Sequence, residues 1–155
     1  VLVAISAFQT VTLQESAMEP TYSVSEKFFV NRALYKISSP KRGDVIVFKT
    51  SASDSAALHI RRVIGLPGET VQVKDGKIYI NGKVYEENGA YQDMTDGGLA
   101  NSAITLESGE YFVLGDNRNN SEDSRFSDIG NISKKYIVGK VWFTVSPKNK
   151  IGFIK

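Results

Sequence analysis

Turn signals recur at short spacing along this chain, and they restrict it to a fold built of short strands. Between the turns lie short runs rich in valine, isoleucine, tyrosine and phenylalanine, and long helical patterns are absent. The turns are "SPKRGD" (39–44), "GLPGE" (65–69), "KDGK" (74–77), "NGK" (81–83), "DGG" (96–98) and "GD" (115–116). This combination predicts a mainly β domain.

The segment 71–85 is the clearest hairpin in the sequence. Apolar residues alternate with polar ones on both sides of Asp75-Gly76, and Asn81-Gly82 supplies the next tight turn. Such pairs favour the turns that join two antiparallel strands. A short helical turn is also expected after Ser133, which would act as its N-cap.

The length of 155 residues fits a single domain with a sizeable core. The segment 86–108 is polar, rich in glycine and asparagine, and weakly periodic. We therefore expect one domain over residues 1–155. Its core would comprise about 9–85 and 109–155, with 86–108 as a small inserted lobe.

Composition excludes several kinds of chemistry. The chain has no cysteine and one histidine, His59, so disulfides, thiolate catalysis and a His/Cys zinc site are ruled out. No acidic loop has the spacing of a calcium site, and we expect neither a metal nor another cofactor. The net charge is only +2, and the basic residues are scattered in ones and twos along the sequence, which argues against a nucleic-acid surface.

The chain starts with the apolar stretch "VLVAISAF" (1–8). It is too short to span a bilayer, which takes about 20 apolar residues. We expect either a buried first strand or the remnant that follows a membrane anchor.

The stretch "QESAMEPTYS" (14–23) resembles a frame that presents one side chain at the end of a strand. The extended run at Val11 and Thr12 leads into it, and Pro20 and Thr21 end it. The presented residue is Ala17, which carries no reactive group.

Four sequence boxes, followed by "IVGKVWF", resemble the motifs of the type I signal peptidases in their compact Gram-positive form. The boxes are "SAMEPT" (16–21), "RGDVIVFK" (42–49), "RRVIGLPGE" (61–69) and "GDNRNNSEDSRFSDIG" (115–130). Their order and spacing match the family from about residue 10 to residue 145. The resemblance implies an antiparallel, mainly β signal-peptidase fold with a small inserted lobe and few helices.

The family uses a serine nucleophile and a lysine base, and this chain departs from it at both positions. Ala17 stands at the nucleophile position and Arg61 at the base position, while Ser121 matches the serine that hydrogen-bonds the lysine. A methyl group cannot attack a carbonyl, and a guanidinium stays protonated and accepts no proton. We therefore expect no enzyme activity from this sequence as it stands.

Neighbouring residues are not expected to replace the missing pair. Ser16 would point to the opposite face of a strand from Ala17, whereas His59 would point the same way as Arg61. Glu15 replaces a small family residue near the oxyanion hole, where a carboxylate would oppose catalysis.

Two further sets of residues carry over from the resemblance. Loop bracing by charged hydrogen bonds is expected from Asp116, Asp123 and Arg125. A groove for an extended peptide, bound by β-strand addition, is expected from Glu15, Ser16, Met18, Pro20, His59 and Val63.

Some signal-peptidase-like proteins without the dyad are encoded with surface pili in Gram-positive bacteria and are needed for pilin polymerisation. The leading hypothesis is accordingly a silent assembly factor or chaperone. Its partner would be a pilin subunit or the pilus-assembly sortase. A single N-terminal membrane helix, absent from this chain, would hold the domain on the extracytoplasmic face.

Two alternatives differ from this hypothesis. One is an active signal peptidase captured as a Ser-to-Ala, Lys-to-Arg mutant, and it stays open. The other, a self-cleaving repressor domain with a related dyad, is set aside because the chain lacks DNA-binding helices.

Overall fold

The computed structural model describes residues 7–154, and within this range the chain forms twelve strands. They are β1 (Phe8–Thr12), β2 (Lys27–Asn31), β3 (Val45–Phe48), β4 (His59–Gly65), β5 (Thr70–Lys74), β6 (Lys77–Ile80), β7 (Lys83–Val84), β8 (Ile104–Thr105), β9 (Glu110–Leu114), β10 (Ile132–Ser133), β11 (Ile137–Ser146) and β12 (Gly152–Phe153). The described helices are short. They are α1 (Leu34–Ile37) and 3-10 helices at Ser16–Met18, Gly98–Asn101, Lys134–Tyr136 and Lys148–Lys150. The prediction of a mainly β, antiparallel fold with few helices is confirmed.

Eight strands form the larger sheet, in the order β1-β2-β11-β3-β4-β9-β10, with β12 paired to β11. All of its pairings are antiparallel. The long strand β11 joins the two halves of the sheet, because it pairs with β2 on one side and β3 on the other.

The smaller sheet contains the predicted hairpin and has the order β7-β6-β5-β8. Val71 pairs with Ile80 and Val73 with Ile78. Positive φ angles fall on both turn pairs, Asp75-Gly76 and Asn81-Gly82 (52°, 76°, 52° and 80°), as tight hairpin turns require. The strands of this sheet lie between Thr70 and Thr105 in the sequence. The boundaries of the expected inserted lobe, at residues 86 and 108, stay a prediction.

The core lies on both faces of the larger sheet. Strand β3 shows why, since its four residues are all buried and successive side chains point to opposite faces. Val45 and Val47 pack into the cluster around Phe28 and Met18. Ile46 and Phe48 pack into a second cluster on the opposite face. A third cluster fills the space between the two sheets.

Two local predictions need correction or qualification. The frame around Ala17 is not the end of a strand: β1 ends at Thr12, and Ser16–Met18 form a 3-10 helix instead. The helical turn expected after Ser133 exists as Lys134–Tyr136, although the Ser133 side chain makes no capping hydrogen bond.

The apolar N-terminal stretch lies mostly outside the described residues. Only its end is described, with β1 starting at Phe8. Between residues 7 and 154, no helix combines the length and the apolar character needed to cross a membrane.

Candidate active site

A surface cavity of about 400 Å³ brings together three residues that are far apart in the sequence. Ala17 comes from the first 3-10 helix, Arg61 from β4, and Ser121 from the loop after β9. These are the positions that the resemblance assigned to the nucleophile, the base and the residue that supports the base. The cavity is open to solvent on one side through exposed residues such as Asn119 and Asn120.

The backbone around Ala17 is fixed by the loop after β9. The Asn117 amide donates to the Ala17 carbonyl oxygen at 2.8 Å, and the Asn117 side chain donates to the Ser16 carbonyl oxygen at 3.1 Å. Gly115 permits this approach. A Cβ there would lie 2.1 Å from Ser121 Oγ and 2.5 Å from the Ala17 oxygen. The absence of a side chain at this glycine therefore lets the two segments meet.

The Arg61 side chain is buried, and its hydrogen bonds go to groups of the protein itself. Its Nε donates to the Glu122 carbonyl oxygen, and its Nη1 donates to the Ile60 carbonyl oxygen and to Glu15 Oε2, each at 2.7 Å. Only 1% of the side chain is exposed. A buried charge of this kind needs such partners, since an unpaired guanidinium would be costly to bury.

Glu15 connects Arg61 with His59. Its other oxygen lies 3.1 Å from His59 Nδ1, so β4 presents His59 and Arg61 on the same side, as strand alternation predicts. Burial alone would raise the pKa of the Glu15 carboxyl. Hydrogen bonds and attraction from His59 and Arg61 outweigh burial and lower the pKa from 4.5 to about 2.

The Ser121 hydroxyl has no hydrogen-bond partner within the described residues, although its oxygen is buried. Buried hydroxyls are normally hydrogen-bonded, so an orphaned one calls for an explanation. The long Arg61 side chain takes its donors to Glu15 and to two carbonyl groups instead. Arg61 therefore gives no hydrogen bond to the Ser121 hydroxyl.

Two buried ion pairs involve residues of the loop after β9. Arg62 binds Asp116 through two parallel hydrogen bonds of 2.8 and 2.7 Å. Burial disfavours the charge on Arg62, but Asp116 outweighs this and raises the pKa of Arg62 above its usual value. Arg125 binds Asp123 in the same bidentate way at 2.9 Å, and Asp123 also accepts from the Gly115 amide.

Sequence reasoning missed Arg118, which lines the cavity and contacts the segment 86–108. Its guanidinium pairs with Glu87, donates from Nε to the Gly115 carbonyl oxygen at 2.9 Å, and stacks 4.1 Å from the centre of the Tyr91 ring. An arginine in the middle of the fourth box was the available signal, but nothing in the sequence indicates that its partner lies 31 residues earlier.

The predicted peptide groove is only partly what the structure shows. Glu15 and Ser16 line the cavity, and Ser16 shares it with Ala17 because a 3-10 turn does not alternate as a strand does. Met18 and Val63 are fully buried in core clusters and offer no surface to a peptide.

The other two predicted groove residues lie elsewhere. Pro20 is exposed and His59 reaches Glu15, but neither lines the cavity. As expected, Ser16 and His59 do not pair with each other: His59 lies within hydrogen-bond distance of Glu15, and the Ser16 hydroxyl accepts from Asn120. Among residues 7–154, no group of three or more histidine, cysteine or acidic side chains could hold a metal ion.

Comparisons with known proteins agree on one family. The family model described as "Signal peptidase, peptidase S26" matches residues 1–146. Signal peptidase I T of Bacillus subtilis is 36% identical over 151 residues, which cover 93% of this chain and 77% of that protein. The probable signal peptidase I-2 of Synechocystis is 32% identical over 151 residues, covering 92% of this chain but 65% of that protein.

A solved structure gives the same result for the fold. The crystal structure of a signal peptidase I from Enterococcus faecalis matches with a TM-score of 0.52 and 32% identity. The match covers 68% of this chain and 98% of that one.

The fold is therefore that of a serine-peptidase-like β protein. The chain belongs to the signal peptidase family, peptidase S26. This corrects the prediction that the chain is not an enzyme, because relatives at 32–38% identity are named signal peptidase I. The roles assigned to Ala17, Arg61 and Ser121 within this family stay predictions.

Proposed function

We propose that this protein is a type I signal peptidase, a serine endopeptidase that removes signal peptides, and that the present sequence carries substitutions at two of its catalytic positions. In this proposal Ala17 replaces the serine nucleophile and Arg61 replaces the lysine base. The remaining machinery, including the loop that carries Ser121, is kept.

The observation that carries the proposal is the orphaned Ser121 hydroxyl beside Ala17 and Arg61. A buried hydroxyl without a partner costs stability, so the fold would not be expected to maintain it without a use. A lysine side chain at position 61 would be shorter than that of arginine, and its amine would supply a hydrogen-bond donor to Ser121 within this cavity. Burial would also lower the pKa of such an amine, as a general base requires.

The test restores both reactive groups with Ala17→Ser/Arg61→Lys. The assay follows cleavage of a soluble peptide that carries Ala-x-Ala before the scissile bond. We expect cleavage by the double variant and none by Ala17→Ser alone, because Arg61 cannot accept the serine proton. Far-UV circular dichroism of each variant confirms that the fold is kept.

Glu15 provides a second step in the same experiment. Its carboxylate would favour the protonated form of a lysine at position 61, so adding Glu15→Ala should increase cleavage near neutral pH. If neither the double nor the triple variant cleaves while both stay folded, the proposal fails.

A second candidate is an assembly role in which the domain holds an extended segment of a pilin subunit, or contacts the sortase that joins pilins. The Glu15–Arg61 ion pair favours it, since Arg61 at the base position is stabilised by a specific carboxylate partner. Binding of a pilin peptide that Glu15→Ala abolishes would support this role. Peptide binding without that dependence would contradict it.

Membrane attachment through a single N-terminal helix, with the domain on the extracytoplasmic face, is part of both proposals. It rests on the family resemblance.

A further inference from the structure

A second cavity, of about 1000 Å³, lies where the ends of β2 and β3 meet α1 and the 3-10 helix before β11. Five of the residues that line it are basic. They are Arg32, Lys36, Lys49, Lys134 and Lys135. No aspartate or glutamate is among its lining residues in the described part of the chain.

None of the five cations forms an ion pair with a described carboxylate. The Lys134 ammonium donates to the Ser38 carbonyl oxygen and to Ser39 Oγ, at 3.1 and 3.2 Å. The Lys135 ammonium lies 5.0 Å from the centre of the Tyr136 ring. These contacts orient two of the side chains without neutralising them.

Asp44 contacts one lining residue of the cavity and is already engaged. Asp44 accepts from the hydroxyl of Tyr35, a lining residue, at 2.7 Å, and its other oxygen lies 3.4 Å from the Lys140 ammonium. It therefore does not balance the cavity.

The concentration of positive charge is large for this molecule. The chain has 19 basic and 17 acidic residues, so taking away these five leaves 14 basic against 17 acidic residues elsewhere. Like charges gathered in one cavity repel each other and oppose folding unless an anion offsets them. The arrangement is thus suited to binding a negatively charged group.

We propose that this cavity is an anion-binding site for a phosphate group carried by a larger ligand. Several cations converge on one space, which suits the multiple charge of phosphate better than a single carboxylate. The fork of Arg32 also matches phosphate geometry. The volume leaves room for the part of the ligand attached to the phosphate.

The site is separate from the candidate active site. The two cavities share no lining residue. Ala7, just before β1, lines the basic cavity, whereas Ala17 lies beyond the other end of β1. The proposal therefore does not depend on the proposed function.

The test compares two triple variants of equal charge. Lys36→Gln/Lys49→Gln/Lys135→Gln removes cations from the cavity. Lys27→Gln/Lys74→Gln/Lys83→Gln removes exposed lysines elsewhere. Binding of tripolyphosphate is measured by calorimetry, and binding to phosphatidylcholine vesicles with and without phosphatidylglycerol is measured by sedimentation.

We expect the cavity variant to bind at least about tenfold more weakly than the unaltered chain, and the control variant to bind nearly as well as that chain. Tripolyphosphate binding with this pattern would identify a soluble phosphate ligand. Binding only to vesicles that contain phosphatidylglycerol, with the same pattern, would identify a lipid headgroup. Equal loss in both variants, or no binding of either probe, would overturn the proposal.

Discussion

The two cavities use arginine and lysine in opposite ways. Around the candidate active site the buried arginines are matched by carboxylates: Arg61 by Glu15, Arg62 by Asp116, Arg118 by Glu87 and Arg125 by Asp123. In the basic cavity no such match exists among the described residues. The first set of cations serves the fold, and the second set is left for a ligand.

The difference follows from burial. A charge taken out of water must be paired, and a pair that loses one member leaves a costly uncompensated charge. Lys36 and Lys135 stay exposed to water and need no internal partner. A substitution that removes a charge should therefore lower the free energy of unfolding at the candidate active site and hardly change it at the basic cavity.

The largest expected effect is at Asp123, whose side chain is fully buried. Asp123→Asn removes the negative charge that faces Arg125 and weakens the bond from the Gly115 amide. We expect the free energy of unfolding to fall by about 3–5 kcal/mol. Urea denaturation followed by circular dichroism measures this change.

Asp93→Asn is the matched control for this substitution. Asp93 pairs with Lys77 through two side chains that are more than half exposed. Surface pairs of this kind contribute little, so its denaturation midpoint should not shift measurably. Equal losses of stability from Asp93→Asn and Asp123→Asn would show that burial does not decide how much an ion pair contributes.

The second prediction concerns the pH dependence of stability at Glu15. Its folded pKa of about 2 lies below the usual 4.5, so its contribution is fully present above pH 4.5. That contribution is lost as pH falls from 4.5 towards 2. At neutral pH, Glu15→Gln should cost about 1–2 kcal/mol, a figure reduced because about a third of the side chain is in water.

The measurement is urea denaturation of both proteins at a series of pH values. The gap between Glu15→Gln and the unaltered chain should be constant near neutral pH and close below pH 4.5. Glu122→Gln, which removes an exposed carboxylate that forms no ion pair with the described residues, should show no such closing gap. A gap independent of pH down to 2 would contradict the assigned role of Glu15.

Local sequence signals predicted the fold better than the site. Asp75-Gly76 and Asn81-Gly82 specify their turns through backbone conformations that few residues adopt, and the structure has those turns. The 3-10 helix at Ser16–Met18 could not be predicted in this way, because three residues carry no period and the loop after β9 holds their backbone in place.

The charges were the least predictable part. The basic residues are scattered along the sequence, yet five of them between positions 32 and 135 line one cavity. The partners of Arg61 and Arg118 lie 46 and 31 residues away. Pairing over such distances depends on strand order, which the sequence pattern does not reveal.

The smallest expected effect tests the second half of the comparison directly. Lys36→Gln removes one of the unpaired cations, and the free energy of unfolding should stay within about 0.5 kcal/mol of the unaltered chain or rise slightly, because repulsion in the cavity is relieved. Lys150→Gln, which breaks a pair with the buried Glu26, should instead lower stability. Added salt should reduce any gain from Lys36→Gln, since it screens the repulsion in both proteins. A clear loss at Lys36 would mean that its charge already has a stabilising partner within the fold, and the cavity would then be part of the protein's internal ion pairing.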